Sequence, residues 1–384
     1  DYPFEEFKGL YLSAWKGGLK GLATYRPSDV RGAVLVAPTE KKAEVADLDQ
    51  TDPDRRVKLD KLPEPALATL RWNKRPKLAG GNPSWTYMVS RPDGQDFAVM
   101  VGHVENGGAP QLLEVWVNGA EAPRGLGSLA KSLSMDMRSE DTAWLKAKLD
   151  SLSKVKGDGF MMPCPFDGEE RFMPSSVAAM ATIVKARCEQ LGVFKDDGAS
   201  PVLDSLMSIK EPKTGTDGTM SWAVDVKNPA TGDDFCLFLK ELQMPDGSRR
   251  PYSVWLSGEY PQALDGLLKS LSFDMRVIDP AWVGAKLRQL MDFAEVRGDF
   301  WGRTPGSEKS ENQPSTVAYI AKLILHRFAM LGILDDSGFA VQNLGYFSDE
   351  AAEPKTESKP MFIKGKVCAT CKAPAVIKKD GCDW

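Results

Sequence analysis

The sequence predicts an α+β protein in which a small antiparallel sheet packed with helices occurs twice in tandem. The octapeptide KSLSMDMR, which starts at Lys131, recurs as KSLSFDMR at Lys269, 138 residues later. In both copies, short runs rich in β-branched and aromatic residues precede the octapeptide and are separated by turn-forming residues. Helical periodicity then takes over, and strands followed by helices are typical of an α+β unit.

The match between the copies extends in both directions from the octapeptide. Upstream, SWTYMV at Ser84 corresponds to SWAVDV at Ser221. Downstream, DTAWLKAKLDSL at Asp141 corresponds to DPAWVGAKLRQL at Asp279. Self-similarity of this length indicates one domain present twice. We assign residues 64–195 to the first accessory repeat and residues 196–337 to the second.

Three helices are predicted in each copy. Leu126, Leu129, Leu133 and Met137 share one helix face, and the same stripe returns 138 residues later. This stripe is predicted to pack on the sheet. The second helix is predicted to begin at an N-capping aspartate, Asp141 or Asp279, with Pro280 at the first helical position of the later copy.

The third helix is predicted to follow Pro174 or Pro314 and to end at the glycine of LGVF or LGIL. Several large aromatic side chains and three isolated cysteines are interpreted as core residues. They are Trp116, Trp144, Trp255, Trp282, Cys164, Cys188 and Cys236.

The two ends differ from the middle. Residues 1–37 read as an amphipathic helix, a turn with glycines and a short strand, which together cannot bury a core, so we interpret them as the closing pieces of a larger α/β domain. Residues 38–63 are dense in charges of both signs and are predicted to be a solvated linker. Residues 338–367 are predicted to be a flexible tether to a cysteine-rich tail at residues 368–384. Both ends are expected to be truncated.

The composition of the chain argues against several classes of function. The 384-residue chain has a formal net charge of −4, with basic and acidic residues interspersed, so no basic face indicates nucleic-acid binding. No apolar run is long enough for a membrane span and no signal peptide is recognisable, so we expect a cytoplasmic protein. His103 and His326 are the only histidines, which argues against histidine-based metal sites and Ser/His or Cys/His nucleophiles.

The tail carries the residues most suited to chemistry. Cys368 and Cys371 form a C-x-x-C pair, and Cys382 follows ten residues after Cys371. Two thiols at this spacing can form a redox disulfide, or they can supply half of a tetrahedral zinc site that needs a further ligand. Nearby lysines favour the thiolate needed for redox exchange, and the tether supplies reach. The residues alone leave the redox and zinc alternatives open.

Taken in order, these segments resemble the C-terminal part of the long form of adenosylcobalamin-dependent, class II, ribonucleotide reductase. LYLSAWKGGLKGLATYRPSDVRGAVL is similar to the last helix and strand of that family's α/β catalytic barrel. LRWNKRPKLAGGNPSWTYMV, LEVWVNG and SLAKSLSMDMR are similar to the accessory region after the barrel. CATCKAPAVIKKDGCDW is similar to the cysteine-rich end, which in such proteins continues to another cysteine.

The resemblance implies an oxidoreductase that makes deoxyribonucleotides from ribonucleoside diphosphates through a thiyl radical generated with adenosylcobalamin. It implies that the radical cysteine, the reducing pair and the substrate and cobalamin contacts precede Asp1, so this chain alone is not expected to turn over. Cys368 and Cys371 match the tail pair that receives electrons from thioredoxin or a glutaredoxin-type reductant, with Cys382 as the candidate third member. The implied partners are the ribonucleotide, the reductant and the rest of the barrel.

A non-enzymatic alternative is also compatible with the residues. In it, the two α+β copies form a binding module, and Cys368, Cys371 and Cys382 belong to a structural zinc knuckle that helps to recruit a partner. The coding sequence before Asp1 discriminates between the two hypotheses. A cysteine-bearing α/β barrel there supports the reductase, and an unrelated domain or a start codon argues against it unless the gene is split.

Overall fold

The computed structural model describes residues 65–341 with gaps at 106–107, 109, 120–121, 166, 195–199 and 244–246, together with Lys16 and the backbone of four two-residue strands between 363 and 383. The chain divides into two compact units, Asp1–Leu48 and Asp49–Trp384, and both copies of the repeat belong to the second. Apart from Lys16, the predicted barrel end at 1–37 lies outside the described residues, and so do the linker at 38–63, most of the tether at 338–367 and the tail side chains.

The first copy contains a three-stranded antiparallel sheet, three helices and a two-stranded hairpin. In chain order its elements are β1 (Ser84–Val89), β2 (Phe97–Val104), β3 (Gln111–Asn118), α1 (Leu126–Met137), α2 (Thr142–Leu152), β4 (Phe160–Pro163), β5 (Glu170–Met173) and α3 (Ser176–Gln190). A short 3₁₀ helix, Ala66–Thr69, precedes them. The sheet order β1-β2-β3 pairs strands that are neighbours in sequence.

The second copy repeats this arrangement element by element. It comprises α4 (Pro201–Asp204), β6 (Ser221–Asn228), β7 (Asp233–Gln243), β8 (Arg249–Glu259), α5 (Leu264–Arg276), α6 (Pro280–Met291), β9 (Phe300–Arg303), β10 (Ser310–Gln313) and α7 (Thr316–Met330). The middle strand of each sheet has a register shift at the same place, between Gly102 and His103 and between Lys240 and Glu241. Even this local irregularity is therefore duplicated.

The predicted mixture of helices with small antiparallel sheets is confirmed, but the predicted order of elements was incomplete. A hairpin lies between the second and third helices of each copy, β4–β5 in the first and β9–β10 in the second. These strands are four residues long, and β10 has the sequence SENQ, without an apolar residue. Strands this short give too weak a periodicity to be recognised from sequence.

The predicted helix boundaries follow the expected capping chemistry. The Asp141 carboxylate accepts from the Trp144 N–H at 2.8 Å, and the Asp279 carboxylate accepts from the Ala281 N–H at 2.9 Å, with Pro280 at the start of α6. Just beyond α3 and α7, Gly192 and Gly332 have φ of 64° and 69°. This left-handed conformation ends a helix and favours glycine.

The core is shared by the two copies. The leucine stripes of α1 and α5 are buried, α1 packs on β3 and α5 packs on β8, as predicted. The helices α1 and α5 also pack against each other, and one continuous apolar cluster contains residues of both copies. The duplicated domains therefore fold as one body.

The interpretation of Trp116 and Trp255 as core residues was wrong. Both side chains are 53% exposed, because successive residues of a strand point to opposite faces and the inner face is taken by Val115 and Val254. Trp144 and Trp282 are fully buried, as predicted. In the part of the chain that is described, no helix has the length and apolar character needed to cross a bilayer.

Candidate functional site

The predicted tail site lies outside the side chains that the structure describes. Its described backbone forms two short antiparallel ladders, β11 (Ile363–Lys364) with β12 (Ala375–Val376), and β13 (Lys378–Lys379) with β14 (Cys382–Asp383). Cys368 and Cys371 fall in sequence between β11 and β12, and Cys382 begins β14. The connection between β13 and β14 is Asp-Gly, the sequence that favours a tight hairpin.

The other three cysteines behave as structural residues rather than as redox groups. Cys164 and Cys188 are buried in the shared core, as predicted, and Cys236 is half-buried on β7. Burial raises the pKa of the Cys188 thiol to about 12, and it also raises the pKa of Cys164 and Cys236. Thiols held in the neutral form are poor nucleophiles.

The octapeptide that revealed the repeat contributes to the junction of the two copies. Its second serine ties the helix to the neighbouring strand in each copy: Ser134 accepts from the Val115 N–H, and Ser272 accepts from the Val254 N–H, both at 3.0 Å. Its aspartate, Asp136 or Asp274, points away from solvent and is fully buried. Both serines and both aspartates therefore serve the packing of α1 and α5.

Two aspartates and two lysines form a buried charge cluster between the copies. The members are Asp136, Lys148, Asp274 and Lys286, and their side chains are all 0% exposed. The Lys148 Nζ lies 3.0 Å from Asp136 and 2.7 Å from Asp274, so it bridges the two copies. The Lys286 Nζ crosses in the opposite direction to Asp136, at 2.6 Å.

Two tryptophans also donate hydrogen bonds to this cluster. The indole N–H of Trp144 donates to Asp136 and that of Trp282 donates to Asp274, each at 2.8 Å. The two indoles meet edge to face, with ring centroids 6.1 Å apart. The cluster is therefore assembled from equivalent residues of the two copies.

The electrostatics of the cluster indicate a structural role. Burial opposes ionisation of Asp136, but the ammonium groups of Lys148 and Lys286 outweigh it and hold its pKa below the usual range. Burial lowers the pKa of Lys286 to about 8, although the aspartates act in the opposite direction. Burial raises the pKa of Asp274, although the ammonium groups of Lys148 and Lys286 act in the opposite direction. None of the four side chains has access to solvent, so the cluster joins the copies and presents nothing to a substrate.

The N-capping aspartates of α2 and α6 also make hydrogen bonds between the two copies. The second carboxylate oxygen of Asp141 accepts from the backbone N–H groups of Val202 and Leu203 in α4, at 2.9 and 3.0 Å. The second oxygen of Asp279 accepts from the backbone N–H of Ala66 in the 3₁₀ helix, at 2.9 Å. Each short helix that leads into one copy is thus held by the other copy.

A cleft of about 850 Å³ opens between the copies and is the candidate site within the described residues. Its wall combines the C-terminal part of α2 and residues 154–156 with β8, α5 and residues 209–211. Lys269 and Arg276, both from the second octapeptide, line it together with the half-exposed Trp255. No described cysteine lines the cleft.

Sequence reasoning missed this cleft because one wall comes from residues 147–156 and the other from residues 209–276, which are distant in the chain. The available signal was the octapeptide, whose lysine and arginine recur in both copies although no helix-packing rule requires them. Among the described residues, no group of three or more histidine, cysteine, aspartate or glutamate side chains is arranged to hold a metal ion. Comparisons of this chain with protein-family models, with curated proteins and with solved structures give no match.

Proposed function

We propose that this chain is the C-terminal region of an adenosylcobalamin-dependent, class II, ribonucleotide reductase, in which the two α+β copies form a scaffold and the tail cysteines deliver electrons. Support comes from the order of the segments along the sequence, each of which resembles its counterpart in that family. The observation that carries the proposal is the C-x-x-C pair, Cys368 and Cys371, which follows the duplicated domain in the family's order.

The proposed chemistry of the tail is thiol–disulfide exchange. The Cys368 and Cys371 thiols attack an oxidised cysteine pair, pass two electrons and two protons to it, and become a disulfide themselves. A thioredoxin-type or glutaredoxin-type dithiol then reduces that disulfide and leaves as its own disulfide. Four lysines flank the cysteines in sequence and favour the thiolate form: Lys366, Lys372, Lys378 and Lys379.

In this proposal the barrel that precedes the repeats binds the ribonucleotide and adenosylcobalamin, whose role when bound is to supply the radical. The cleft between the copies does not fit this cofactor. A corrin macrocycle needs a broad and largely apolar slot, whereas the cleft between the copies carries lysine and arginine side chains along its wall. The repeats are therefore assigned a positioning role outside the radical chemistry.

A zinc site is the alternative role for the tail. Cys368, Cys371 and Cys382 supply soft thiolate donors of the kind that zinc prefers, and a fourth ligand would close a tetrahedral site. Zinc analysis of the purified protein, with Cys382→Ser as the comparison, distinguishes this role from redox exchange. One tightly bound zinc that Cys382→Ser releases supports the zinc site, and a metal-free active enzyme contradicts it.

The reductase proposal is tested by turnover of the enzyme that contains this region. We expect Cys368→Ser and Cys371→Ser to abolish nucleotide reduction driven by thioredoxin while leaving reduction driven by dithiothreitol, because a small dithiol reaches the active site without a shuttle. Cys236→Ser, which removes a half-buried thiol of the scaffold, is the matched control and should keep both activities. Unchanged thioredoxin-driven turnover in both tail variants would rule out the shuttle.

A non-enzymatic binding module is the second candidate function, and the cleft between the copies favours it. Its volume of about 850 Å³ lies within the range of small-molecule sites, and its wall mixes aromatic and charged side chains. The coding sequence before Asp1 decides between the candidates. A cysteine-bearing α/β barrel there supports the reductase, and an unrelated domain there supports the binding module.

A further inference from the structure

We propose that the cleft between the copies binds a small organic polyphosphate that carries one ring system. The cleft is lined by five cationic side chains, Lys154, Lys156, Lys210, Lys269 and Arg276, and by three carboxylates, Asp150, Glu211 and Asp265. This assignment is independent of the tail cysteines and stands whether the chain belongs to a reductase or to a binding module.

The carboxylates of the cleft are already engaged. Asp150 pairs with Lys185 at 2.5 Å, and Glu211 pairs with Lys240 at 2.8 Å. Neither of these lysines lines the cleft. Asp265 accepts from the Tyr260 hydroxyl at 3.1 Å, and burial raises its pKa. Two of the three negative charges are therefore neutralised from outside the cleft, which leaves the cationic lining in excess.

Arg276 is the most deeply placed of these cations. Its side chain is 3% exposed, and its guanidinium lies over the Phe273 ring with Cζ 4.5 Å from the centroid. One Nη atom donates to the Ile209 carbonyl at 3.2 Å, whereas Nε has no hydrogen-bond partner. No carboxylate lies within ion-pair distance among the described residues. Burial lowers the pKa of Arg276 to about 10 and outweighs Glu211 and Asp274, which act at longer range to raise it. A buried cation that makes no ion pair in a cleft wall favours an anionic ligand.

The neighbouring lysines add to this unbalanced charge. Lys269 is half-buried two helical turns before Arg276. Burial lowers its pKa, Arg276 and Lys154 act in the same direction, and Glu211 acts in the opposite one. These like charges repel one another in the free protein. An anion with several charges would relieve that repulsion, which a single carboxylate cannot do as completely.

The aromatic lining and the size of the cleft indicate more than an inorganic anion. Trp255 and Tyr260 line the cleft, and the Trp255 indole is 53% exposed. A planar ring can stack on such an indole, as bases do on aromatic side chains. A cleft of about 850 Å³ has room for a ring and a phosphate chain together.

Calorimetric titration of the full chain tests this proposal with three probes: ATP, inorganic tripolyphosphate and adenosine. We expect ATP to bind with one site per chain, tripolyphosphate to bind more weakly, and adenosine to give no heat. Trp255→Ala should weaken ATP binding but leave tripolyphosphate binding unchanged. Equal affinity for ATP and tripolyphosphate would overturn the ring-bearing ligand, and adenosine binding as tightly as ATP would overturn the anion site.

The first copy supplies matched control variants. Lys131 and Arg138 are the equivalents of Lys269 and Arg276, and they do not line the cleft. We expect Lys269→Gln to weaken ATP binding by about tenfold, the loss of one charge-assisted contact, while Lys131→Gln leaves it unchanged. Arg276→Gln should abolish binding, with Arg138→Gln as the control for a buried arginine lost elsewhere. Equal effects of Lys269→Gln and Lys131→Gln, or no ATP binding at about 1 mM, would overturn the proposal.

Discussion

Replacing Lys148 with methionine should weaken the contact between the two copies and lower the free energy of unfolding, because Lys148 bridges the copies inside the buried charge cluster. Its Nζ lies 2.7 Å from Asp274, whose remaining described hydrogen-bond donor is the Trp282 indole at 2.8 Å, and the second oxygen of Asp274 has no partner. Lys148→Met therefore leaves the buried Asp274 carboxyl, whose pKa burial already raises, without the ammonium group that it contacts. Breaking a buried ion pair from one side costs about 3–5 kcal/mol of the free energy of unfolding.

The loss in the free energy of unfolding is not expected to include a full penalty for both aspartates. Asp136 keeps the Lys286 Nζ at 2.6 Å and the Trp144 indole at 2.8 Å, so the penalty falls mainly on Asp274. Adding Asp274→Asn to Lys148→Met should recover part of the lost stability, since the unpaired charge is then absent.

Urea unfolding followed by near-ultraviolet circular dichroism is the suitable assay, because the two indoles of the cluster contribute to that signal. Lys146→Met, on the exposed face of the same helix, is the matched control and should change the free energy of unfolding by no more than about 0.5 kcal/mol. A loss below about 1 kcal/mol for Lys148→Met, or an Asp274→Asn double variant less stable than Lys148→Met alone, would refute the role assigned to the cluster.

Three further predictions concern the capping residue Asp141, the contact of Gly266 with α3, and the buried Cys188 thiol. Asp141→Ala should lower the free energy of unfolding by about 2–3 kcal/mol in the same urea assay, since it removes a helix cap and leaves two α4 amides without an acceptor. Asp279→Ala should lower it by less, because Asp279 accepts from only one amide of the other copy. Gly266→Ala should destabilise by about 1–3 kcal/mol, because its Cβ would lie 2.6 Å from a Val177 methyl group, whereas Gly127→Ala, with its nearest neighbouring atom at 3.6 Å, should be neutral or stabilising. Burial raises the pKa of the Cys188 thiol from 9.0 to about 12, so the unfolded chain loses that proton first as pH rises. Cys188 should therefore lower the free energy of unfolding above pH 9.0, by up to about 1.4 kcal/mol per pH unit. A Cys188→Ala variant should show a flatter dependence of the free energy of unfolding on pH.

The local structure of each copy was largely predictable from the sequence. The leucine stripe from Leu126 to Met137 has the helical period, and the structure buries it as predicted. Asp141 and Asp279 cap helices where their position before a periodic segment indicated. These features depend on contacts within a few residues along the chain, and such contacts are directly visible as spacing.

The features that depend on distant contacts were not predictable in this way. Asp136 and Lys286 are 150 residues apart in sequence, and their pairing becomes visible only when the two copies pack together. The error on Trp255 has a related cause, since alternation assigns a strand residue to one of two faces but does not reveal which face is buried. The identical aspartate, tryptophan and lysine in both copies were the one sequence signal for the cluster, and their burial distinguishes it from a surface ion pair.

The most direct test of the proposed function is the reduction of this chain, after mild oxidation, by the thioredoxin system. With NADPH, thioredoxin reductase and a trace of thioredoxin, we predict that one NADPH is consumed per chain and that Cys368→Ser or Cys371→Ser abolishes the consumption. Cys236→Ser should leave it intact, because that half-buried thiol on β7 has no part in the proposed exchange. Consumption that persists in both tail variants, or none with the unaltered chain, would contradict the assignment of the tail as an electron shuttle.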